Sequence, residues 1–199
     1  DVWYSSNGAS WTQATSSAGW TGRNSHTSVV FDNKMWVIGG RDGSNRFNDV
    51  WYSSNGASWT QATSSAGWTG RNSHTSVVFD NKMWVMGGYD GSNRKRDVWY
   101  SSNGASWTQA TSSAGWAGRN IHTSVVFDNK MWVMGGNDGS NRFNDVWYSS
   151  NGASWTQATS SAGWTGRNSH TSVVFDNKMW VMGGYDGSYR NDVWKMKLY

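Results

Sequence analysis

The sequence predicts an all-β fold, a β-propeller of four-stranded antiparallel blades with four repeats per chain. Three observations carry that prediction. The stretch "DVWYSSNGASWTQATSSAG" starts at Asp1 and returns at Asp49, Asp97 and Asp145, so the chain is a tandem array of one 48-residue unit. Each unit holds only short β signals and no helical periodicity of useful length. Four short strands in a unit of roughly 50 residues is the size of a propeller blade.

The elements of one unit follow in order. "HTSVVF" (His26 to Phe31) is a short β-branched run, and Asp32–Asn33 after it is a two-residue turn whose residues tolerate positive φ. "KMWVI" (Lys34 to Ile38) is the second strand. It has Met35 and Val37 on one face and Trp36 and Ile38 on the other, as a strand covered on both sides requires. Gly39–Gly40 stops it, because a side chain there collides with neighbouring backbone or φ is positive. "DVWYS" (Asp49 to Ser53) is the third strand. Asn55–Gly56 is the strongest short hairpin signal in the chain, and "SWTQAT" (Ser58 to Thr63) is the fourth strand.

The order Arg-x-x-His, a β run, "WVIGG", "NDVW" and a later Trp resembles the kelch repeat in its bacterial form. The matching residues of one unit are Arg23, His26, Gly39, Gly40, Asp49, Trp51 and Trp59, and the pattern recurs four times across the whole chain. The resemblance implies one propeller domain over residues 1–199, with repeats starting at 1, 49, 97 and 145 and a closing strand at 192–199. It also implies that the "HTSVVF" strand is innermost around a central channel, and that blade closure is shared between the chain termini. Near-identity of the copies fits a recently amplified or a designed array. The segment Ser5 to Trp11 is similar to the Asp-box turn of sialidase-like propellers, with Asn7 in place of Asp and one residue fewer, which implies a turn that supports the fold.

Closure poses a counting problem. The candidate strands number seventeen and four blades need sixteen, because "DVW" at Asp1 competes with "DVW" at Asp192 for one third-strand position. Three outcomes stay open: a four-bladed monomer that frays the spare strand, two chains sharing one eight-bladed ring, or open-ended assembly through exposed edges.

Composition excludes several function classes. There is no Cys, which rules out disulfides and thiol chemistry, including the cross-linked Cys of kelch-like copper oxidases. There is no Glu, and Asp falls in turns and strand starts, so the paired carboxylates of glycoside hydrolysis have no source. Near-identical units make any site symmetric, whereas a nucleophilic triad needs one asymmetric pocket. The chain is therefore read as non-catalytic, with no cofactor and no metal. A net charge of +4 is spread singly along the chain, not in a stripe, which argues against nucleic acid. The longest apolar runs are far too short to span a membrane as a helix. A start at Asp1 is the expectation for a processed or excised chain. The compartment stays open, with a secreted or cell-surface location slightly favoured over a cytoplasmic one.

Two sets of residues are candidate ligand contacts. The loop before the first strand repeats an indole, a guanidinium, an amide and an imidazole: Trp20, Arg23, Asn24 and His26; Trp68, Arg71, Asn72 and His74; Trp116, Arg119, Asn120 and His122; Trp164, Arg167, Asn168 and His170. Converging arginines attract anions, and a loop Trp beside Arg and Asn suits sugar stacking. The competing reading has each Arg and His bonding backbone between blades and each Trp plugging the inter-blade core. The second set is the loop tip after the double glycine, Arg41, Tyr89, Asn137 and Tyr185, which varies while its frame does not. Two functions follow: a structural, self-assembling or protein-interaction scaffold, or a multivalent lectin-like module acting by avidity. The matching partners are a second copy sharing terminal strands, a protein, or a glycan.

Overall fold

The computed structural model describes residues 1–196, with no helix among them. Two short strands, β1 (Val2–Tyr4) and β2 (Thr12–Thr15), form a small antiparallel sheet. The first full blade is β3 (Thr27–Phe31), β4 (Lys34–Arg41), β5 (Arg46–Ser53) and β6 (Thr60–Thr63). The second is β7 (Thr75–Phe79), β8 (Lys82–Met86), β9 (Val98–Ser101) and β10 (Thr108–Thr111). The third is β11 (Thr123–Phe127), β12 (Lys130–Met134), β13 (Val146–Ser149) and β14 (Thr156–Thr159). The last unit supplies three strands, β15 (Thr171–Phe175), β16 (Lys178–Tyr185) and β17 (Tyr189–Met196). Residues 197–199 of the expected closing strand lie outside the described residues.

The turns follow from their residue types. Asp32 and Asn33 sit at φ 49° and 53°, the left-handed pair that joins β3 to β4 in a tight hairpin. Asn55–Gly56 is not a two-residue hairpin, because the connection runs from Ser53 to Thr60. Its polar side chains hold a longer turn. Ser53 Oγ accepts from the Gly56 amide at 2.8 Å, Asn55 Oδ1 accepts from the Ala57 and Ser58 amides at 2.9 Å, and the Trp59 indole donates to the Gly56 carbonyl. The fourth strand accordingly starts at Thr60, not Ser58.

The double glycine ends the second strand in the middle two blades. In the first and last units the strand runs on through it with a register shift, after Ile38 and after Met182. Both steric expectations hold at once. Gly39 and Gly40 have φ of 57° and 97°, and a Cβ on Gly40 would lie 2.7 Å from the His26 Cβ.

Blades stack through the two faces of their second strands. Trp36 and Ile38 point forward and share a core with Met83 and Val85 of the next blade, and the same arrangement joins Trp84 and Met86 to Met131 and Val133. The four first strands are innermost: β3 packs on β7, β7 on β11 and β11 on β15. Their hydroxyl residues, among them Thr27, Thr75, Thr123 and Thr171, line a central channel. The chain is thus a propeller of four repeats around that channel.

The fourth seam differs from the other three. β2 pairs with β1 and β17 pairs with β16, and among the described residues no hydrogen bonds join β2 to β17. Among the described residues, closure shared between the termini is therefore not seen as strand pairing. The competition for one third-strand position is resolved by each terminus keeping its own copy.

Candidate binding face

The loop before each first strand and the loop after each second strand lie at the same end of the blades. Backbone pairing ties them together: Asn24 to Arg41, Asn72 to Tyr89, Asn120 to Asn137, and Asn168 to Tyr185. At the first, the Asn24 amide donates to the Arg41 carbonyl at 2.8 Å and the Arg41 amide donates back at 3.0 Å. The predicted asparagines and the variable tips are thereby brought onto one rim.

The arginines point elsewhere. Arg71 is fully buried and grips Asp97 with both terminal nitrogens, at 2.7 and 2.8 Å, while Nη1 also donates to the Gly87 carbonyl at 2.9 Å. Arg23 with Asp49, Arg119 with Asp145 and Arg167 with Asp192 repeat the fork. Each of these aspartates also accepts from the indole two residues on, as Asp97 does from Trp99 at 2.9 Å. Burial raises the Asp97 carboxyl most, but the hydrogen bonds and charge of Arg71, with the Trp99 indole and Lys95, together hold it below the usual carboxylate range. These guanidiniums are committed inside the blade and leave no charge converging on the channel mouth.

The histidines and most of the tryptophans belong to the seams. His74, His122 and His170 are buried, each with Nε2 3.0 Å from a threonine Oγ1 of the preceding blade: Thr27, Thr75 and Thr123. Burial first, and the neighbouring arginine second, lower the pKa of His74 to about 3 and of His170 to about 4, so both are neutral imidazoles. His26, with no blade in front of it, is exposed. Trp68 and Trp116 are 1% and 0% exposed and meet Trp107 and Trp155 edge to face at 6.0 and 5.8 Å. Trp20 meets Trp59 at 4.4 Å. Trp68 and Trp116 offer no free indole face for a sugar. Among the described residues no three or more His, Cys, Asp or Glu groups cluster as a metal site would need.

The rim carries residues that sequence reasoning missed. Arg46 and Arg94 flank the Tyr89 ring from two blades, at 4.9 and 4.7 Å from its centroid, and Arg142 sits 4.7 Å from Tyr185. Arg46 also donates to Asn72 Oδ1 at 3.0 Å, so the Tyr89 tip is braced by the blade before it, as the Tyr185 tip is by Arg142. The available signal was an arginine, at 46, 94, 142 and 190, retained with the Asp-Gly-Ser before it in a loop whose first position and later positions change.

A family model described as the KLHDC2/KLHL20/DRC7 Kelch-repeats domain matches residues 2–115 and 58–199. The chain belongs to the Kelch-repeat family. The two matches overlap over 58–115, as near-identical units permit, and together they cover almost the whole Kelch array. Kelch propellers typically serve as protein-interaction scaffolds and are generally not catalysts. No curated protein matched the sequence. The described Kelch blades contain no helix long and apolar enough to cross a membrane.

Proposed function

We propose that this Kelch propeller is a non-catalytic protein-interaction scaffold whose partner surface is the rim built by the tips Arg41, Tyr89, Asn137 and Tyr185 and their bracing arginines. The observation that carries the reading is the Arg46–Tyr89–Arg94 stack. Tyr and Arg are among the side chains enriched at protein interfaces, and here they are already stacked on one another within the chain. The fixed frame beneath, with its buried Arg–Asp forks, lets the tips change without cost to the blade.

The test is comparative capture from the same extract by the native chain and by a Tyr89→Ser/Tyr185→Ser variant. Proteins retained by the native chain and lost by the variant, with the fold unchanged by circular dichroism, support the rim. Identical captured sets refute it. The lectin-like alternative would have to rest on Trp20, the least covered of the loop tryptophans, and a glycan array on Trp20→Ala decides it. Self-association belongs to the scaffold reading as well, because the two chain ends carry unmatched halves of a blade seam.

A further inference from the structure

The three seams that are made share one set of contacts, and the fourth set is present in halves at opposite ends of the chain. Phe31, Phe79 and Phe127 are 7%, 8% and 7% exposed, whereas the equivalent Phe175 is 70% exposed. Met83 and Met131 are fully buried, whereas Met35 is 37% exposed and Val30 beside it 71%. Trp20, Trp68 and Trp116 each have an indole partner at the entry to the fourth strand of their own blade, and Trp164 has none among the described residues. Beside Trp164 lies an apolar cavity of about 250 Å³, lined by Ala162, Gly163, Met179 and Trp194, where that fourth strand belongs. The residue holding the equivalent place in the repeat is Trp11, exposed at the other end of the chain.

We propose that a second copy of this chain completes the seam: β2 of one copy pairs with β17 of another and seats Trp11 in the cavity against Trp164. This rests on the scaffold reading but uses the chain ends, not the rim. The sequence match is direct. β2 reads TQAT, identical to β6, β10 and β14, and β17 carries the Val-Trp that pairs with those strands elsewhere. In the third blade Val146 faces Thr159, Trp147 faces Gln157 and Tyr148 faces Thr156. The same register sets Val193 opposite Thr15, Trp194 opposite Gln13 and Lys195 opposite Thr12. The strand displaced is β1, three residues long and paired with β2 alone, whereas β17 is held along β16. The backbone bonds β2 loses to β1 are regained on β17, and the burial of Trp11 is a net gain. Among the described residues the two halves stay unpaired while the other three seams are made, so the matching half comes from another molecule.

The chain has no cysteine, so a disulfide pair reports without background. Two single variants, Thr12→Cys and Lys195→Cys, are mixed, oxidised and run without reductant. The double variant is treated likewise. A one-to-one crosslink in the mixture, and covalent dimers or larger species from the double variant, are expected. Adding Trp11→Ala weakens the association roughly 30-fold or more, as for a central interface Trp. In the single chain Trp11 is exposed and its indole bonds only the Gly8 carbonyl, so that variant keeps its fold. A crosslink formed only within single chains overturns the proposal, and so does no crosslink at all. Neither result touches the rim, whose failure shows only in the capture of other proteins.

Discussion

His74 of the second blade places its Nε2 3.0 Å from Thr27 Oγ1 of the first, and His122 and His170 repeat this toward Thr75 and Thr123. The fourth pair, His26 with Thr171, forms no such bond among the described residues. The latch is thus a property of a completed seam, not of a single unit.

These latches make stability fall in mild acid. The folded histidines hold their protons only near pH 3 for His74 and pH 4 for His170, because they are buried beside arginines, while the unfolded chain takes them up near pH 6.5. Their contribution is complete above that value and is lost as the pH drops toward 4, at about 1.4 kcal/mol per pH unit for each histidine. Urea midpoints should fall steadily from pH 7 to pH 5, and His122→Gln should flatten the slope. Equal midpoints at the two pH values would contradict the account.

The Arg–Asp forks should behave as buried pairs. Removing one partner strands the other charge, which costs about 3–5 kcal/mol, so Arg71→Ala and Arg119→Ala should lower chemical stability by that amount. Arg71→Lys keeps the charge and loses the fork, and should fall between. Arg167→Ala should cost less than either, since Asp192 at its end of the array is 36% exposed against 14% for Asp97. A larger loss for Arg167 than for Arg71 would be inconsistent with this burial gradient.

Backbone conformation separates glycines that look alike in the sequence. Gly88 has φ 96° and lies under the His74 Cβ, so Gly88→Ala should destabilise by about 2 kcal/mol or more. Gly43 is open on all sides and Gly43→Ala should be close to neutral. Denaturation of the two variants side by side checks the contrast.

One difference between the repeats is a strain that the others avoid. Ile121 sits at φ 55°, where its counterparts Ser25, Ser73 and Ser169 are at 54°, 55° and 57°. A β-branched residue is costly in that region. Ile121→Ser should raise stability by about 1 kcal/mol, read as a higher denaturation midpoint. An unchanged or lower midpoint would show that the Ile side chain repays the strain.

Much of the fold was legible because the repeat states each signal four times. The Asp32–Asn33 turn and the two-faced β4 follow from residue types at fixed spacing, and the inward β3 is what the kelch resemblance implied. The Asn55–Gly56 turn did not, because Ser53 and Asn55 side chains compete with a tight hairpin by bonding the backbone themselves. Within the loops, the segments that carry Asn24 and Arg41 were recognised, but not that they pair. Arg23 and its copies stayed open between an anion site and backbone bonds between blades, because their aspartate, 26 residues on in three units and 25 in the last, was unplaced. The Arg46–Tyr89 stack spans two blades, and no local pattern records a contact of that kind.

The most direct test of the open fourth seam is solution mass by light scattering over a concentration series. The account predicts particles of two or more 22.1-kDa chains, breaking down to single chains on Trp11→Ala. A single 22.1-kDa species at every concentration of the native chain would contradict it.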